Sequence, residues 1–417
     1  MTTKHITIIG GGISGLCSAY YLIQKGHNVR IIEKESANHA TCSIGNAGMI
    51  VPSHFIPLAA PGIITQGLKW MFDSKSPFFI RPRMNKNLLQ WIWLFYRSAN
   101  AQHVQHSIPV LRDYNLLSKQ LFQEMHQSQN LQFQFKQKGL LMLYKTIATE
   151  KEEIILAELA NNAGIEAKIC SPQQISDIEP NVEIQARGAI YFPGDAHLNP
   201  VQFIQSLKQH LKNKNVDFCY EEEVKDMFHS QGKITKITTG KGEYLIDELL
   251  LCAGAWSGRL AQKLKLQLPM QGGKGYSFDL KEVNNIQIPS ILCEAKVAVT
   301  PMGGFTRFAG TMEINGTNLS INQNRIQGIV KAIPKYYTHI NPPKSIYKTI
   351  WSGLRPCSPD GLPYMGKSNF FTNLTIATGH AMMGLSMGPA TGKLVSEIID
   401  NERTSIDINL LKVSRFA

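Results

Sequence analysis

The feature that most constrains this chain lies in its first 35 residues. Residues 5–9, HITII, read as a short buried strand, residues 13–25 as a helix and residues 28–33, NVRIIE, as a second strand, a βαβ unit. Gly10, Gly12 and Gly15 fall between the first strand and the helix in the spacing G-x-G-x-x-G. In that setting Gly10 permits the tight turn, Gly12 lets backbone N–H groups approach a pyrophosphate, and Gly15 lets helix and strand pack closely. The helix N-terminus adds positive potential. Glu33, 18 residues beyond Gly15 at the end of the second strand, is placed to accept from ribose hydroxyls and to repel a 2′-phosphate. The pattern predicts a dinucleotide site without choosing between NAD and FAD.

A chain of 417 residues is too long for one simple core, so a two-domain enzyme is the default expectation. Residues 36–62, punctuated by Gly45, Gly48, Pro52, Pro57, Pro61 and Gly62, read as a long ordered loop. Helical periodicity returns at 85–99, 108–127, 149–163 and 199–213, with strand-like runs at 139–144 and 187–192, as in an inserted domain. Paired β runs follow at 216–228 and 232–239, and residues 247–256, DELLLCAGAW, return as a buried strand running into a glycine turn. Residues 268–354 are strand-rich, with GYSFDL (275–280), VAVTP (297–301) and FTRFAG (305–310), plus one helix near 322–333. The end, 373–400, reads as strand, Gly-rich turn and long amphipathic helix. The expected boundaries give 1–85, 190–265 and 350–417 to the dinucleotide unit, and 86–189 and 266–349 to the second unit.

Composition excludes several classes. With 43% hydrophobic and 18% charged residues the chain is not disordered. The balance of 43 Lys+Arg against 31 Asp+Glu leaves +12, spread along the chain rather than clustered, which counts against nucleic acid and leaves open a peripheral contact with an anionic membrane. Seven cysteines without a CxxC pair suggest neither a disulfide framework nor a metal site, and a reducing cytoplasm fits. No signal peptide and no uncharged apolar run of about 18 residues is evident. Residues 63–72 (IITQGLKWMF) and 88–96 (LLQWIWLFY) concentrate aromatic and aliphatic surface. Core packing is the favoured reading of both, with a membrane or a partner subunit of a homo-oligomer as the others.

Six segments in order, IIGGGISG (8–15), TCSIGNAGMI (41–50), GDAHLNP (194–200), LLLCAGAWS (249–257), WSGLRPCSPDGLPYMG (351–366) and GHAMMGLSMGPATG (379–392), carry a family resemblance over nearly the whole chain. The sequence resembles the D-amino acid oxidase and glycine oxidase superfamily, most closely its D-amino acid dehydrogenase-like members. The resemblance implies an α/β protein with a Rossmann-like FAD-binding domain of glutathione-reductase-like type and a second α+β substrate domain on a mainly antiparallel sheet. It places Ile13 and Ser14 with the glycine loop, Lys34 beside Glu33, and Thr41, Ser43, Asn46, Ala47, Gly48 and Met49 along the flavin ring. Cys252, Ala253, Gly254 and Trp256 correspond to residues that pack the pyrophosphate and ribose, and Val224 to one that meets the adenine. Gly379, His380, Met383, Gly384, Leu385 and Ser386 correspond to a connection facing the flavin pyrimidine edge, where a following helix N-terminus would stabilise reduced flavin.

Arg355 matches the family arginine that clamps a substrate carboxylate, for which a planar fork is the right donor. His54 falls in the loop expected to line the substrate pocket, and Tyr276 and Met383 are further candidates for its walls. For His54, His197 and His380 a structural or solvent-exposed role is the competing reading. No Ser/His/Asp triad or metal-spaced cluster stands out, which suits a reaction in which orientation does most of the work. Ala298 and Met382 stand where glycine oxidase has a tyrosine and a second arginine, implying a larger, less polar pocket. The position at which relatives attach flavin to cysteine falls near Gly353 rather than Cys357, which implies noncovalent FAD. The expected function is oxidative deamination of a D-amino or cyclic amino acid to an imino acid that hydrolyses, with electrons passed to a quinone or another carrier. An oxidase using O2, an NAD-linked dehydrogenase and a non-catalytic electron-relay subunit are the alternatives.

Overall fold

The computed structural model describes residues 3–62, 76–81, 83, 85–128 and 130–416, so the apolar segment 63–72 lies outside the described residues. A six-stranded sheet runs in the order Asp217–Tyr220, Asn28–Glu33, His5–Ile9, Glu248–Leu251, Leu374–Thr378 and Tyr364–Lys367. Its first five strands are parallel and the last pair is antiparallel. The central strands carry consecutive apolar residues, Ile8–Ile9 and Leu249–Leu251, because both faces of the sheet are covered. Ile6, Ile8 and Leu250 point into one core, whereas Ile9, Leu249 and Leu251 point into another.

The first face is covered by the helices Ile13–Gln24 and Gly388–Ile399, which pack on each other. Their approach depends on glycine: a Cβ on Gly392 would lie 2.3 Å from the Cys17 carbonyl oxygen. The second face carries a three-stranded antiparallel sheet, Asp226–Ser230, Lys233–Thr238 and Glu243–Leu245.

A nine-stranded sheet runs in the order Trp351–Cys357, Gln271–Leu280, Thr306–Ile314, Val297–Pro301, Ser290–Leu292, Leu140–Tyr144, Gly188–Phe192 and Lys168–Cys170, with Phe78–Ile80 added beside Thr306–Ile314. Two of its junctions are parallel, Ser290–Leu292 with Leu140–Tyr144 and Phe78–Ile80 with Thr306–Ile314. The others are antiparallel. The strands Phe78–Ile80 and Trp351–Cys357 thus belong to this sheet, although the expected boundaries assign them to the dinucleotide unit. The physical reason is register: Trp351–Cys357 pairs residue by residue with Gln271–Ser277, a long-range match that chain order does not reveal.

The helix Lys86–Ser98 packs on the nine-stranded sheet at Met312, Ile314 and Cys357, and the helix Ala101–Gln127 packs against Gly388–Ile399; each is capped by an asparagine, Asn85 and Asn100. The second helix starts earlier than the periodicity from 108 suggested, because the Asn100 side chain accepts from the His103 N–H and Pro109 is tolerated inside it. Among the described residues no helix is long and apolar enough to cross a membrane.

Candidate active site

A cavity of about 900 Å³ runs from the end of the first βαβ unit to the face of the nine-stranded sheet. At one end the glycine loop has the conformation its spacing predicts. Gly10 has φ +113°, and a Cβ there would lie 2.5 Å from the Cys252 carbonyl oxygen. At Gly15 the clash would be with the Gly10 carbonyl oxygen at 2.0 Å, so Gly15 packs helix on strand and does not line the cavity. Gly12 faces open space, with only Ser43 Oγ within 4 Å of its missing Cβ. The helix it caps has no side-chain cap, and the Ile13 N–H donates to Ser43 Oγ at 3.1 Å. Ile13, Ser14, Ser43, Thr41, Asn46, Ala47 and Met49 line the cavity; Gly48 does not, and its φ of +76° serves the bend of the loop.

Glu33 ends the second strand with one carboxylate oxygen accepting from the Gly11 N–H at 2.7 Å and the other from the Glu35 N–H at 3.0 Å. Lys34 Nζ stands 3.9 Å over the Trp256 ring, and both residues line the same end with Val224, Cys252, Ala253 and Gly254. A glycine cradle over a bare helix N-terminus, followed by an acid held by backbone N–H groups, fits the pyrophosphate and ribose of FAD.

The other end is built on one register row of the nine-stranded sheet. Met142, Ile291, Ala298 and Ala309 stand side by side on four successive strands, and all four line the cavity. Gly273, Gly275 and Ser277 share that face on the next strand, opposite Arg355, Gly353 and Trp351. The glycines make room for the side chains: a Cβ on Gly275 would lie 2.2 Å from Arg355 Nη2, and one on Gly45 or Gly353 would lie 2.1 or 2.2 Å from the Trp351 ring. Arg307 ties the 41–50 loop to this sheet, its Nη1 donating to the Ile44 and Asn46 carbonyls at 2.8 and 3.0 Å while Asp279 holds the guanidinium.

Arg355 lines the cavity, donates from Nη1 to the Thr311 carbonyl, and is in no ion pair among the described residues. Burial pushes its guanidinium below the ordinary value, so it lacks the compensation a carboxylate would bring. Lys296 is a second cation of this end, exposed at the surface.

Tyr276, expected as a pocket wall, does not line the cavity. Successive side chains of a strand point to opposite faces, and with Ser277 on the face towards the 41–50 loop, donating to the Gly45 carbonyl at 3.0 Å, Tyr276 is turned into the core behind the sheet. There it is fully buried and donates to Glu313 at 2.5 Å.

His54 does line the cavity. Its Nδ1 lies 3.1 Å from Ser53 Oγ, which donates to the buried Asp195 at 2.5 Å, so Nδ1 carries the proton and Nε2 is left as an acceptor. Burial, helped by Lys296, pushes the His54 imidazole down to about 4, and burial pushes the Asp195 carboxyl up to about 7. His380 lines the cavity as well, with Nε2 turned inward, 3.0 Å from Thr391 Oγ1 and 3.3 Å from the Tyr114 hydroxyl. Burial lowers it to about 4. Gly379, with φ +83°, turns the chain behind it, while Met382, Met383, Gly384, Leu385 and Ser386 form the wall. Ser386 Oγ accepts from the Val51 N–H at 3.1 Å, joining this wall to the first loop. His197 lies outside the cavity, as does Cys357, whereas Gly353 lines it.

Trp351, Lys296, Met142, Ile291 and the anchoring pair Arg307–Asp279 were not read from the sequence. One signal was available: glycines within a strand, here Gly272, Gly273 and Gly275 of Gln271–Leu280, mark a close approach.

The fold and the cavity define a dinucleotide-dependent oxidoreductase whose second sheet closes over the cofactor end. The chain belongs to the DAO family of FAD-dependent oxidoreductases, whose family model matches residues 5–398. It is 30% identical over 415 residues to a D-amino acid dehydrogenase of Helicobacter pylori, covering 99% of each chain. A D-amino acid dehydrogenase of Vibrio atlanticus is also 30% identical, over 426 residues, with 99% of this chain and 100% of that protein covered. Among solved structures, glycine oxidase from Geobacillus kaustophilus has the same fold, with a TM-score of 0.78 at 19% identity and 100% of both chains covered. FAD is the cofactor of this chain.

Proposed function

We propose that this enzyme oxidatively deaminates a D-amino acid, or a cyclic or secondary amino acid, at the inner end of the cavity. The observation that carries this reading is Arg355, a cavity-lining guanidinium without a carboxylate partner among the described residues. A substrate carboxylate docked on its fork would supply the missing counter-charge and fix the orientation of Cα. The D-amino acid dehydrogenases it is 30% identical to are consistent with that substrate class.

FAD, held by the glycine loop and Glu33, would supply the hydride acceptor for the substrate Cα–H and a route for the electron pair to a quinone or another acceptor. The protein's own part is binding and orientation. The row Met142, Ile291, Ala298 and Ala309 offers an apolar wall with small residues at one end, which accommodates a substrate side chain or ring better than glycine alone. His54, neutral, presents Nε2 as an acceptor for the substrate nitrogen. The imino acid product hydrolyses in water to the 2-oxo acid.

The six-stranded sheet is read as the core of an FAD-binding unit of glutathione-reductase-like type, and the nine-stranded sheet as the core of the substrate unit. FAD is read as held without a covalent link, since Gly353, which lines the cavity, stands near the position where relatives attach flavin to a cysteine, and Cys357 lies outside the cavity. The test is anaerobic mixing of the yellow protein with D-amino acids, L-amino acids, glycine, sarcosine and proline derivatives while the flavin absorbance is followed. Bleaching by D-amino acids or cyclic amino acids is the expected result. No bleaching by any of them, with FAD still bound, removes the proposal.

A further inference from the structure

We propose, on the amino acid reading given above, that Asp195 ends a proton relay, His54–Ser53–Asp195, which draws out of the cavity the proton a substrate ammonium must lose before its Cα–H can leave with the electron pair.

An amino acid in neutral water carries an ammonium, and the C=N bond of the imino product is made from the lone pair of a neutral nitrogen. One proton must therefore leave that nitrogen, and a group placed to take it raises the fraction of bound substrate that reacts. The carboxylates that line the cavity, Glu33, Glu35, Glu222, Glu223 and Asp226, stand at the dinucleotide end, where the Glu222 N–H donates to the Glu33 carbonyl at 2.9 Å. Among the described residues no carboxylate lines the substrate end. Of the two histidines there, His380 turns Nε2 inward to Thr391 and Tyr114, which leaves His54.

Behind His54 the chain of polar groups continues. Its Nδ1 lies 3.1 Å from Ser53 Oγ, and Ser53 Oγ lies 2.5 Å from Asp195 Oδ2. Backbone contacts fix all three residues: the Ser53 N–H donates to Asp195 Oδ1 at 3.2 Å, the His54 N–H to the Val51 carbonyl at 3.0 Å, and the Gly139 N–H to the Asp195 carbonyl at 3.0 Å. His54 is half-buried at the cavity, whereas Ser53 and Asp195 are 4% and 1% exposed. Among the described residues Asp195 is in no ion pair, and Ser53 alone hydrogen-bonds its carboxylate. A buried carboxylate without a cation partner is costly to keep ionised, and burial raises Asp195 to about 7. An amide would hold the Ser53 loop as well; only a carboxyl can also take a proton.

The transfer balances without an outside partner. One N–H bond of the ammonium breaks as His54 Nε2 gains that proton, His54 Nδ1 releases its own proton to Ser53 Oγ, and Ser53 releases its hydroxyl proton to Asp195 Oδ2. Ammonium and carboxylate become neutral amine and carboxylic acid, the serine is again a hydroxyl, and the imidazole ends neutral in its other tautomer. No imidazolium forms, which matters because burial and Lys296 hold His54 down to about 4, too low for it to act as a base alone. Lys119, whose Nζ donates to the Gly194 carbonyl at 2.8 Å, is the charged group that bears on Asp195, and it favours the resting carboxylate.

The test follows anaerobic flavin reduction against pH in the FAD-loaded full chain, with the fastest-reducing member of the amino acid panel named above. In wild type the rate should rise with pH through about 7, as Asp195 ionises. Asp195→Asn should reduce about 10-fold or more slowly at about pH 7.5 and approach the wild-type rate at about pH 10, where water removes the proton, with FAD content unchanged. Ser53→Ala leaves Asp195 in place, breaks the chain in its middle and should show the same pH-dependent loss, which decides the matter where Asp195→Asn misfolds. Variants that keep the wild-type profile, or that lose rate by one factor at every pH as a merely structural defect does, would overturn the relay and leave the amino acid reading standing. Wild-type flavin that no amino acid bleaches removes that reading, and the relay with it.

Discussion

Arg355 donates from Nη1 to the backbone carbonyl of Thr311, a β-branched residue held at φ +64°. A threonine in the left-handed region is strained, and such strain persists only where the surroundings enforce it. Here the pairing of Gln271–Leu280 with Thr306–Ile314 shifts register between Lys274 and Tyr276, opposite Thr311, so the irregularity and the arginine contact coincide. The guanidinium is positioned by backbone geometry rather than by an acidic side chain, which leaves its charge for a ligand.

Replacing Arg355 should therefore separate cofactor binding from substrate binding. Arg355→Leu is expected to stay yellow and to lose about 100-fold or more in kcat/KM for a carboxylate-bearing substrate, since removing one partner of a desolvated charge pair costs about 2–5 kcal/mol. Stopped-flow reduction of the bound flavin measures it, and an unchanged rate would remove Arg355 from substrate binding.

Gly275→Ala reaches the same group from behind. The added Cβ would lie 2.2 Å from Nη2 and must push the guanidinium aside. KM should rise by about tenfold, equivalent to about 1.4 kcal/mol, with FAD content unchanged. Steady-state kinetics on the purified variant checks it.

Glu33→Ala acts at the opposite end of the cavity. Its carboxylate holds the Gly11 N–H at 2.7 Å, and in the bound state it would take the ribose hydroxyls. Hydrogen bonds to charged groups are worth about 1.5–3 kcal/mol, so the Kd for FAD should rise by roughly 10- to 100-fold. Titration of the apoprotein by flavin fluorescence quenching gives the number directly.

His380 predicts a pH dependence of stability. Burial lowers its folded-state value from 6.5 to about 4, so the unfolded chain binds the proton first as pH falls. The stability that depends on neutral His380 is complete above about 6.5 and is lost as pH falls from there towards about 4. His380→Asn should make the fall in melting temperature across that window shallower than in wild type. Asp195, raised to about 7, works with the opposite sign over the same range, which is why the comparison is between variant and wild type and not an absolute slope.

The sites differed in how legible they were. The glycine loop and Glu33 could be read because every part is fixed by offsets of a few residues along one strand, one turn and one helix. Arg355, His54 and the walls at 41–49, 252–256 and 383–386 came from family resemblance, and the structure gathers them around one cavity. Tyr276 was misplaced by one step of strand alternation, which inverts the face a side chain takes.

By itself, then, the amino-acid sequence determined the dinucleotide end of this enzyme, since a βαβ unit with glycines at set positions is local and its hydrogen bonds close within about 35 residues. Only the tertiary structure decided the wall at the other end of the cavity. That wall includes a row across strands, Met142, Ile291, Ala298 and Ala309, aligned by inter-strand register. Register is set by the packing of both sheet faces at once, a condition that no single strand carries in its own residues.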